Sequence, residues 1–278
     1  MIYLNSNKGE HMQNFNYHTH TYRCKHSDIN LTDEDYVLEF IKQGFKKICF
    51  TDHCPEKNKI DPRNNMRMDY NQKEEYLKSI RALKEKYQDK ITIEVGYEAE
   101  YLPDDEINLF ELKNETDKII LGQHFIYDDN KKLKIFRQAD FTDKELLKYA
   151  SYIETAMAKG LPDIIAHPDI YMLNRNTFGK IESKVAHLIC AAAEKYQIPL
   201  EINLTYPCLY YEHQRKNIIY PCKEFWQIAS NYNIKVVYGI DAHFRDQIMY
   251  YQESIEIANN HIGLDIINKL HFCNDDLK

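Results

Sequence analysis

Seven of the twelve histidines in this chain fall in five short segments, three of which also hold an aspartate. His18-Thr19-His20 precedes His26, and Asp52-His53 precedes Gly96-Tyr97-Glu98. Then come Gln123-His124, His167-Pro168-Asp169 and Asp241-Ala242-His243. Imidazole suits zinc, iron and other first-row ions, and a carboxylate can bridge two of them. Residues i and i+2 of an extended segment point the same way, so His18 and His20 can grip one ion, as can Asp241 and His243. The candidate metal ligands are His18, His20, His26, His53, Glu98, His124, His167, Asp241 and His243. Nine is too many for one ion; two or three divalent ions fit better. Such sites activate water and clamp both oxygens of a phosphoryl displacement. A lone histidine is more often a packing residue, but that reading does not explain six ligand-bearing segments together.

Nearly every one of these segments closes a short apolar run. The runs Phe15–His18, Lys47–Thr51, Ile91–Tyr97, Lys118–Gly122, Asp163–Ala166, Leu200–Leu204 and Lys235–Ile240 read as buried strands. Amphipathic segments alternate with them: Thr32–Gly44, Asn71–Tyr87, Asp143–Lys159, Glu182–Tyr196, Lys223–Asn231 and Gln247–His261. Thr32-x-x-Asp35 is a capping signal and Gly44 a stop; Gly160 and Pro162 end the third helix. Seven strands alternating with about six helices predict a parallel α/β fold. Its strand C-termini share one face, where the ligands should converge. Periodicity alone does not choose between an open sheet and a closed barrel.

The chain has 278 residues, 44% hydrophobic and 28% charged, which excludes a disordered or fibrous protein. No apolar run reaches 18 residues, so no membrane partner is expected. Met1–Gln13 is polar and lacks the apolar stretch of a secretory signal. Residues 1–13 are therefore set aside as an extension, and 14–278 are read as one domain. The net charge of −7 argues against a nucleic-acid partner, which needs a basic footprint. It leaves a small phosphorylated substrate open, because bound metal reverses the local sign. The seven cysteines are odd in number and form no C-x-x-C, which points to a reducing, cytoplasmic setting. No apolar seam is evident, so a monomer or small homo-oligomer is expected.

The segments Tyr17-His-Thr-His20 with His26, Phe50-Thr-Asp-His53, Gly96-Tyr-Glu98, Gly122-Gln-His124, Ile165-Ala-His167-Pro168 and Gly239-Ile-Asp-Ala-His243 resemble, in order, those of the PHP (polymerase and histidinol phosphatase) superfamily. Phe50-Thr-Asp-His-Cys-Pro55 and Gly96-Tyr-Glu-Ala-Glu-Tyr-Leu102 are similar to its histidinol-phosphatase branch. The resemblance implies a distorted (βα)7 barrel with a trinuclear site of zinc, iron or manganese at the C-terminal mouth. Carried over, His18, His20, Glu98 and Asp241 would hold one ion. Glu98 would bridge to a second, held also by His124 and His167, and His26, His53 and His243 would hold the third. The implied reaction is hydrolysis of L-histidinol phosphate to L-histidinol and phosphate, late in histidine synthesis, by a metal-bridging hydroxide. Glu98, Asp241 and His243 are the expected catalytic residues. Two departures touch the substrate: Leu121-Gly-Gln-His-Phe125, and the Tyr206-Pro-Cys-Leu-Tyr-Tyr211 loop after the sixth strand.

Phosphate also needs donors from the protein. Arg175, eight residues after His167, is the first candidate; Arg23 and Lys25 between His20 and His26, Arg245 after His243, and Arg67 follow. Asp52, Asp169 or a metal-bound water are candidates to protonate the leaving group. His187, His213, His261 and His271 read as packing or surface residues. The alternatives are a phosphoesterase acting on another small phosphorylated substrate or nucleotide, and a metal-binding module without turnover.

Overall fold

The computed structural model describes residues 13–57, 65–137 and 140–274. The expected N-terminal extension, save Gln13, lies outside the described residues. In chain order the elements are β1 (Phe15–Asn16), α1 (Asp33–Lys42), β2 (Lys47–His53), α2 (Lys73–Lys86), β3 (Thr92–Ala99), α3 (Glu106–Glu115) and β4 (Lys118–Leu121). A hairpin follows, β5 (Phe125–Tyr127) and β6 (Leu133–Ile135), then α4 (Asp143–Ala158), β7 (Ile164–Ile165), α5 (Lys180–Tyr196) and β8 (Leu200–Asn203). The chain continues through α6 (Thr205–Tyr211), α7 (Lys223–Ala229), β9 (Lys235–Gly239), α8 (Arg245–Met249), α9 (Tyr251–Ile262), α10 (Leu264–Ile267) and β10 (His271–Phe272).

Eight strands form one parallel sheet in the order β1-β2-β3-β4-β7-β8-β9-β10. The sheet curls so that the segment after β1 meets the segment after β9. Thr19 after β1 bridges Ala242 after β9, and His20 N–H donates to the Ala242 carbonyl at 2.9 Å. Below that bridge, side chains replace the ladder. Asn16 Oδ1 accepts from Ile240 N–H at 3.0 Å, and the Gln13 amide bonds both N–H and C=O of Tyr238. Strand β10, too short to show periodicity in sequence, pairs with β9 beside this seam.

Period-two alternation divides the strand residues between two cores. Phe50, Val95, Leu121 and Ile202 pack with helix residues in the larger core. Phe15, Tyr17, Cys49, Ile120, Ile164 and Val237 form a smaller cluster on the concave face. Register then carries the ligands onto that face. His53 is four residues beyond Cys49 and lies directly opposite Glu98; Asp241 is four beyond Val237. The expected capping box of α1 forms, with Asp35 N–H donating to Thr32 Oγ1 and the Asp35 carboxylate accepting from Thr32 N–H. Among the described residues no helix is long and apolar enough to cross a membrane. All seven cysteines are buried free thiols.

Candidate metal centre

The structure brings the nine candidate ligands together at the C-terminal end of the sheet. His18 and His20 come from the segment after β1, His53 and Glu98 from the ends of β2 and β3, and His124, His167, Asp241 and His243 from the turns after β4, β7 and β9. His18 Nε2, His20 Nε2, Asp241 Oδ1 and Glu98 Oε2 surround one point. The His18–His20 separation is 3.1 Å, Asp241 lies 3.3 Å from His18 and 3.2 Å from His20, and Glu98 lies 3.6 and 3.4 Å from them. A tetrahedral ion with bonds of about 2.0–2.1 Å has ligand edges of about 3.3 Å. The two Glu98 oxygens face different histidines. Oε1 lies 2.9 Å from His167 Nε2 and 3.6 Å from His124 Nε2. Oε2 lies 2.9 Å from His53 Nδ1 and also faces His18 and His20. His20 stacks on His243 at 4.1 Å, and His26 lies 4.4 Å from His243. The metal-capable groups overlap: His20-His53-His243, His18-His167-Asp241 and His18-His20-Glu98.

Backbone and packing are shaped around these groups. His167 and Asp241 adopt φ of +29° and +54°, a left-handed conformation costly for a histidine and found at functional sites. Gly122 leaves room for Glu98: a Cβ there would lie 1.8 Å from Glu98 Oε1. Gly239 does the same for Glu201, at 2.1 Å. Ring nitrogens turned away from the centre are held by protein. His18 Nδ1 pairs with Glu201 at 2.7 Å, His124 Nδ1 with Glu100 at 2.9 Å, His26 Nδ1 with the Cys24 carbonyl at 2.8 Å and His243 Nδ1 with the Asp241 carbonyl at 2.9 Å. Each such bond fixes a tautomer and aims the other nitrogen inward.

One inward-facing nitrogen is left open: His243 Nε2 is buried and makes no hydrogen bond while its Nδ1 is held by protein, a costly arrangement unless something else fills it. Glu98 and Asp241 are buried, which opposes ionisation, yet the surrounding imidazoles hold both carboxyls well below their usual range. Burial, with the neighbouring imidazoles, pulls His243 down to about 3 and His26 down to about 4. Burial opposes protonation of His18 and His167 too, but the carboxylates of Glu98, Glu201 and Asp241 raise both; a cation bound there would take the place of those protons, since ionised carboxylates and neutral imidazoles are the forms that coordinate metal. The residues therefore fit divalent ions.

Each expected phosphate donor is engaged by an acid of the protein. Arg23 is buried in ion pairs with Asp33 at 2.7 Å and Glu75 at 2.8 Å. Lys25 pairs with Asp69 at 3.1 Å and Arg245 with Asp35 at 3.5 Å. Arg175 binds Glu182 at 2.5 Å and the Phe141 carbonyl at 3.0 Å. Arg67 is buried and bonds Glu100 at 3.0 Å and the Cys54 carbonyl at 3.1 Å. Of the two candidate proton donors, Asp52 accepts from Thr21 N–H and Oγ1, and burial lifts its carboxyl to about 7. Asp169 accepts from Cys222 N–H at 2.6 Å and Trp226 Nε1 at 3.2 Å, and burial lifts it to about 6. His187, read as structural, bonds Tyr232.

Sequence reasoning missed the supporting acids. Glu201 and Glu100 hold His18 and His124. Asn203 Nδ2 links Glu201 at 2.7 Å to Asp241 at 3.2 Å, and Thr205 Oγ1 donates to Asp241 at 3.0 Å. Their signal was present: Glu201-x-Asn203-x-Thr205 and Glu98-x-Glu100 carry polar groups at period two from the ends of buried strands into the turns beyond.

The PHP-domain family model matches residues 16–205. A histidinol-phosphatase of Bacillus subtilis is 33% identical over 150 residues, 51% of this chain and 55% of that protein; the match spans about half of that relative's length. A protein of Deinococcus radiodurans named "probable histidinol-phosphatase" is 24% identical over 240 residues, 81% of this chain and 85% of its own. The crystal structure of a histidinol phosphate phosphatase from Lactococcus lactis, complexed with zinc, L-histidinol and phosphate, is similar in fold. Its TM-score is 0.65 at 20% identity, over 94% of this chain and 95% of that one. With its family motif running through the sheet and its ligand-bearing strand ends gathered at one mouth, the chain belongs to the PHP-domain family, in the branch of these histidinol-phosphatase relatives.

Proposed function

We propose that this protein is a metal-dependent phosphate monoester hydrolase that converts L-histidinol phosphate to L-histidinol and phosphate in the cytoplasm. The observation that carries this reading is the Glu98 carboxylate, whose two oxygens serve two different sets of histidines. A carboxylate so placed would be able to hold two divalent ions at once, which would supply the charge stabilisation that phosphoryl transfer needs. We further infer that the curled sheet is a distorted (βα)7 barrel, with β10 an addition at its seam.

In this reading His18, His20, Glu98 and Asp241 hold one ion, Glu98, His124 and His167 a second, and His26, His53 and His243 a third. Bound divalent ions supply Lewis acidity toward phosphate oxygens and lower the pKa of water toward neutrality. The chain's own residues supply the rest. Glu201, Glu100, Asn203 and Thr205 fix the ligands before substrate arrives, so little reorganisation is needed at the moment of reaction. The mouth opens on the side of His26 and His243, the ligands least covered by protein. His18, His20, Glu98 and His167 are almost wholly excluded from solvent, so the alkyl group of the substrate remains on the open side.

The test is kcat/KM for L-histidinol phosphate against a panel of phosphate monoesters, on protein purified without chelators. A preference of about a thousandfold or more supports the named substrate. Even, slow turnover across the panel retains a phosphoesterase of this family and removes the named substrate. Full metal occupancy with no turnover supports a binding module instead. Glu98→Gln and His124→Ala should lose metal and activity together, and retained full activity at an empty site would overturn the mechanism.

A further inference from the structure

We propose that Asp52 is the positioning residue of His20. It takes the Nδ1 proton of that ring and so keeps Nε2 turned toward the ion shared with His18 and Asp241. This inference rests on the metal-centre reading above and reaches beyond the nine candidate ligands. His20 falls in one metal-capable group with His18 and Glu98, and in another with His53 and His243. Which ring nitrogen carries the proton therefore has to be set by the protein.

Asp52 stands where that is set. Its Oδ1 faces His20 Nδ1 at 3.9 Å, and both side chains are wholly buried. Nδ1 makes no hydrogen bond among the described residues, and a closure of about 1 Å would bring the pair to bonding distance. The main chain is held on both sides of the ring. His20 N–H donates to the Ala242 carbonyl at 2.9 Å, and Thr21 N–H donates to Asp52 Oδ1 at 2.8 Å.

The directions of the surrounding bonds fix what Asp52 can offer. A guanidinium only donates. Arg23 is clamped by Asp33 of α1 at 2.7 and 2.9 Å and by Glu75 of α2 at 2.8 and 2.9 Å. From Nη1 it donates to Thr21 Oγ1 at 3.0 Å. That hydroxyl is an acceptor toward Arg23, so its one hydrogen goes to Asp52 Oδ2. Asp52 thus accepts from each Thr21 donor, and the group that meets it from the metal side has to be a donor, His20 Nδ1–H. Arg23, expected to bind phosphate, acts instead at two removes from the ion, tying α1 and α2 to a ligand.

The experiment loads wild type, Asp52→Asn, Thr21→Val and the double variant with zinc and titrates each with a competing chelator. Elemental analysis reads metal content, and urea midpoints without metal read the fold. Asp52→Asn should weaken zinc binding about 10–100-fold. Thr21→Val keeps the shape, loses the hydroxyl and should act in the same direction by a smaller factor. The double variant should bind no more weakly than Asp52→Asn, because Thr21 acts through Asp52; a merely structural role would lower the urea midpoints and make the losses multiply. Wild-type zinc affinity in Asp52→Asn, or losses that multiply, would overturn the inference. If Asp52→Asn does not fold, wild-type zinc affinity in Thr21→Val overturns it. A wild-type chain that binds no divalent ion would overturn the metal centre as well, whereas the expected zinc losses with no turnover in wild type would remove only the phosphatase reading.

Discussion

Glu98 can sit where it does only because residue 122 is glycine. A Cβ at position 122 would overlap the carboxylate itself, not neighbouring backbone. Gly122→Ala should therefore spare the fold and displace Glu98, lowering metal affinity by at least tenfold, as read by chelator competition and elemental analysis. A second chain of contacts runs from Arg67 through Glu100 to His124. Arg67 also bonds the loop carbonyl of Cys54, so the loop after β2 braces a histidine after β4. Glu100→Gln keeps the shape and removes the charge. It should cost about 10–100-fold in metal affinity, the usual effect of losing such a partner, with Arg67→Ala acting in the same direction. Unchanged metal affinity in both would show that His124 needs no brace. Sequence displayed the nine candidate ligands because all but His26 lie at or just past the end of an apolar run and several come as i, i+2 pairs. It hid their supports, because a glutamate inside a strand does not reveal which histidine it will meet; that depends on the pairing of strands far apart in sequence.

Helices with one apolar stripe and a conventional cap were legible, and those without were not. Thr32–Gly44 became α1 almost as expected. Helix α3 carries Ile107, Leu109, Phe110 and Leu112 on more than one side, with Ile107 exposed, so no stripe marks it. The tyrosine-rich segment expected as a loop is helix α6. Its Pro207 falls in the first turn, where the missing N–H leaves no helix bond unmade. The β5–β6 hairpin, also unforeseen, is set by the Asp128 carboxylate, which accepts from Asn130 and Lys132 N–H. Arg175 has its own role at this scale. It joins the Gly179 N–H on Glu182, which caps the start of α5. Burial opposes ionisation of Glu182, but its amide and arginine partners lower its pKa. Glu182 thus contributes stability that is present above its unfolded pKa and lost as pH falls through the lower folded one. Glu182→Gln should destabilise the protein at pH 7, by on the order of 1 kcal/mol. The gap to wild type should narrow below about pH 4, measured as urea midpoints.

Across the whole molecule, buried acids and imidazoles gather at one end of the sheet and an apolar cluster fills the other. Without divalent ions, Glu98 and Asp241 would be two buried carboxylates balanced only by the surrounding imidazoles. Chelation should lower the melting temperature by about 10 °C, since a ligand at about a thousand times its Kd stabilises by about 4 kcal/mol. Readdition of zinc, iron or manganese should restore it; an unchanged melting temperature after complete demetallation would show that the ligand cluster contributes nothing to stability. The parallel α/β class followed from alternating patterns, but the meeting of the segments after β1 and β9 did not. That join depends on Asn16 and Gln13 standing in for backbone, a use of side chains that no periodicity encodes.

The seam where β1 meets β9 also sets an order of events during synthesis. His18 and His20 lie on one side of it, Asp241 and His243 on the other. His53, Glu98 and His124 belong to strands that are neighbours in both sequence and space, so the growing chain can assemble them early. The part of the candidate centre carried by β2 to β4 can therefore form before the rest. The group of His18, His20 and Asp241 is complete only once the chain has emerged past Asp241, and its closure joins the first strand to one of the last.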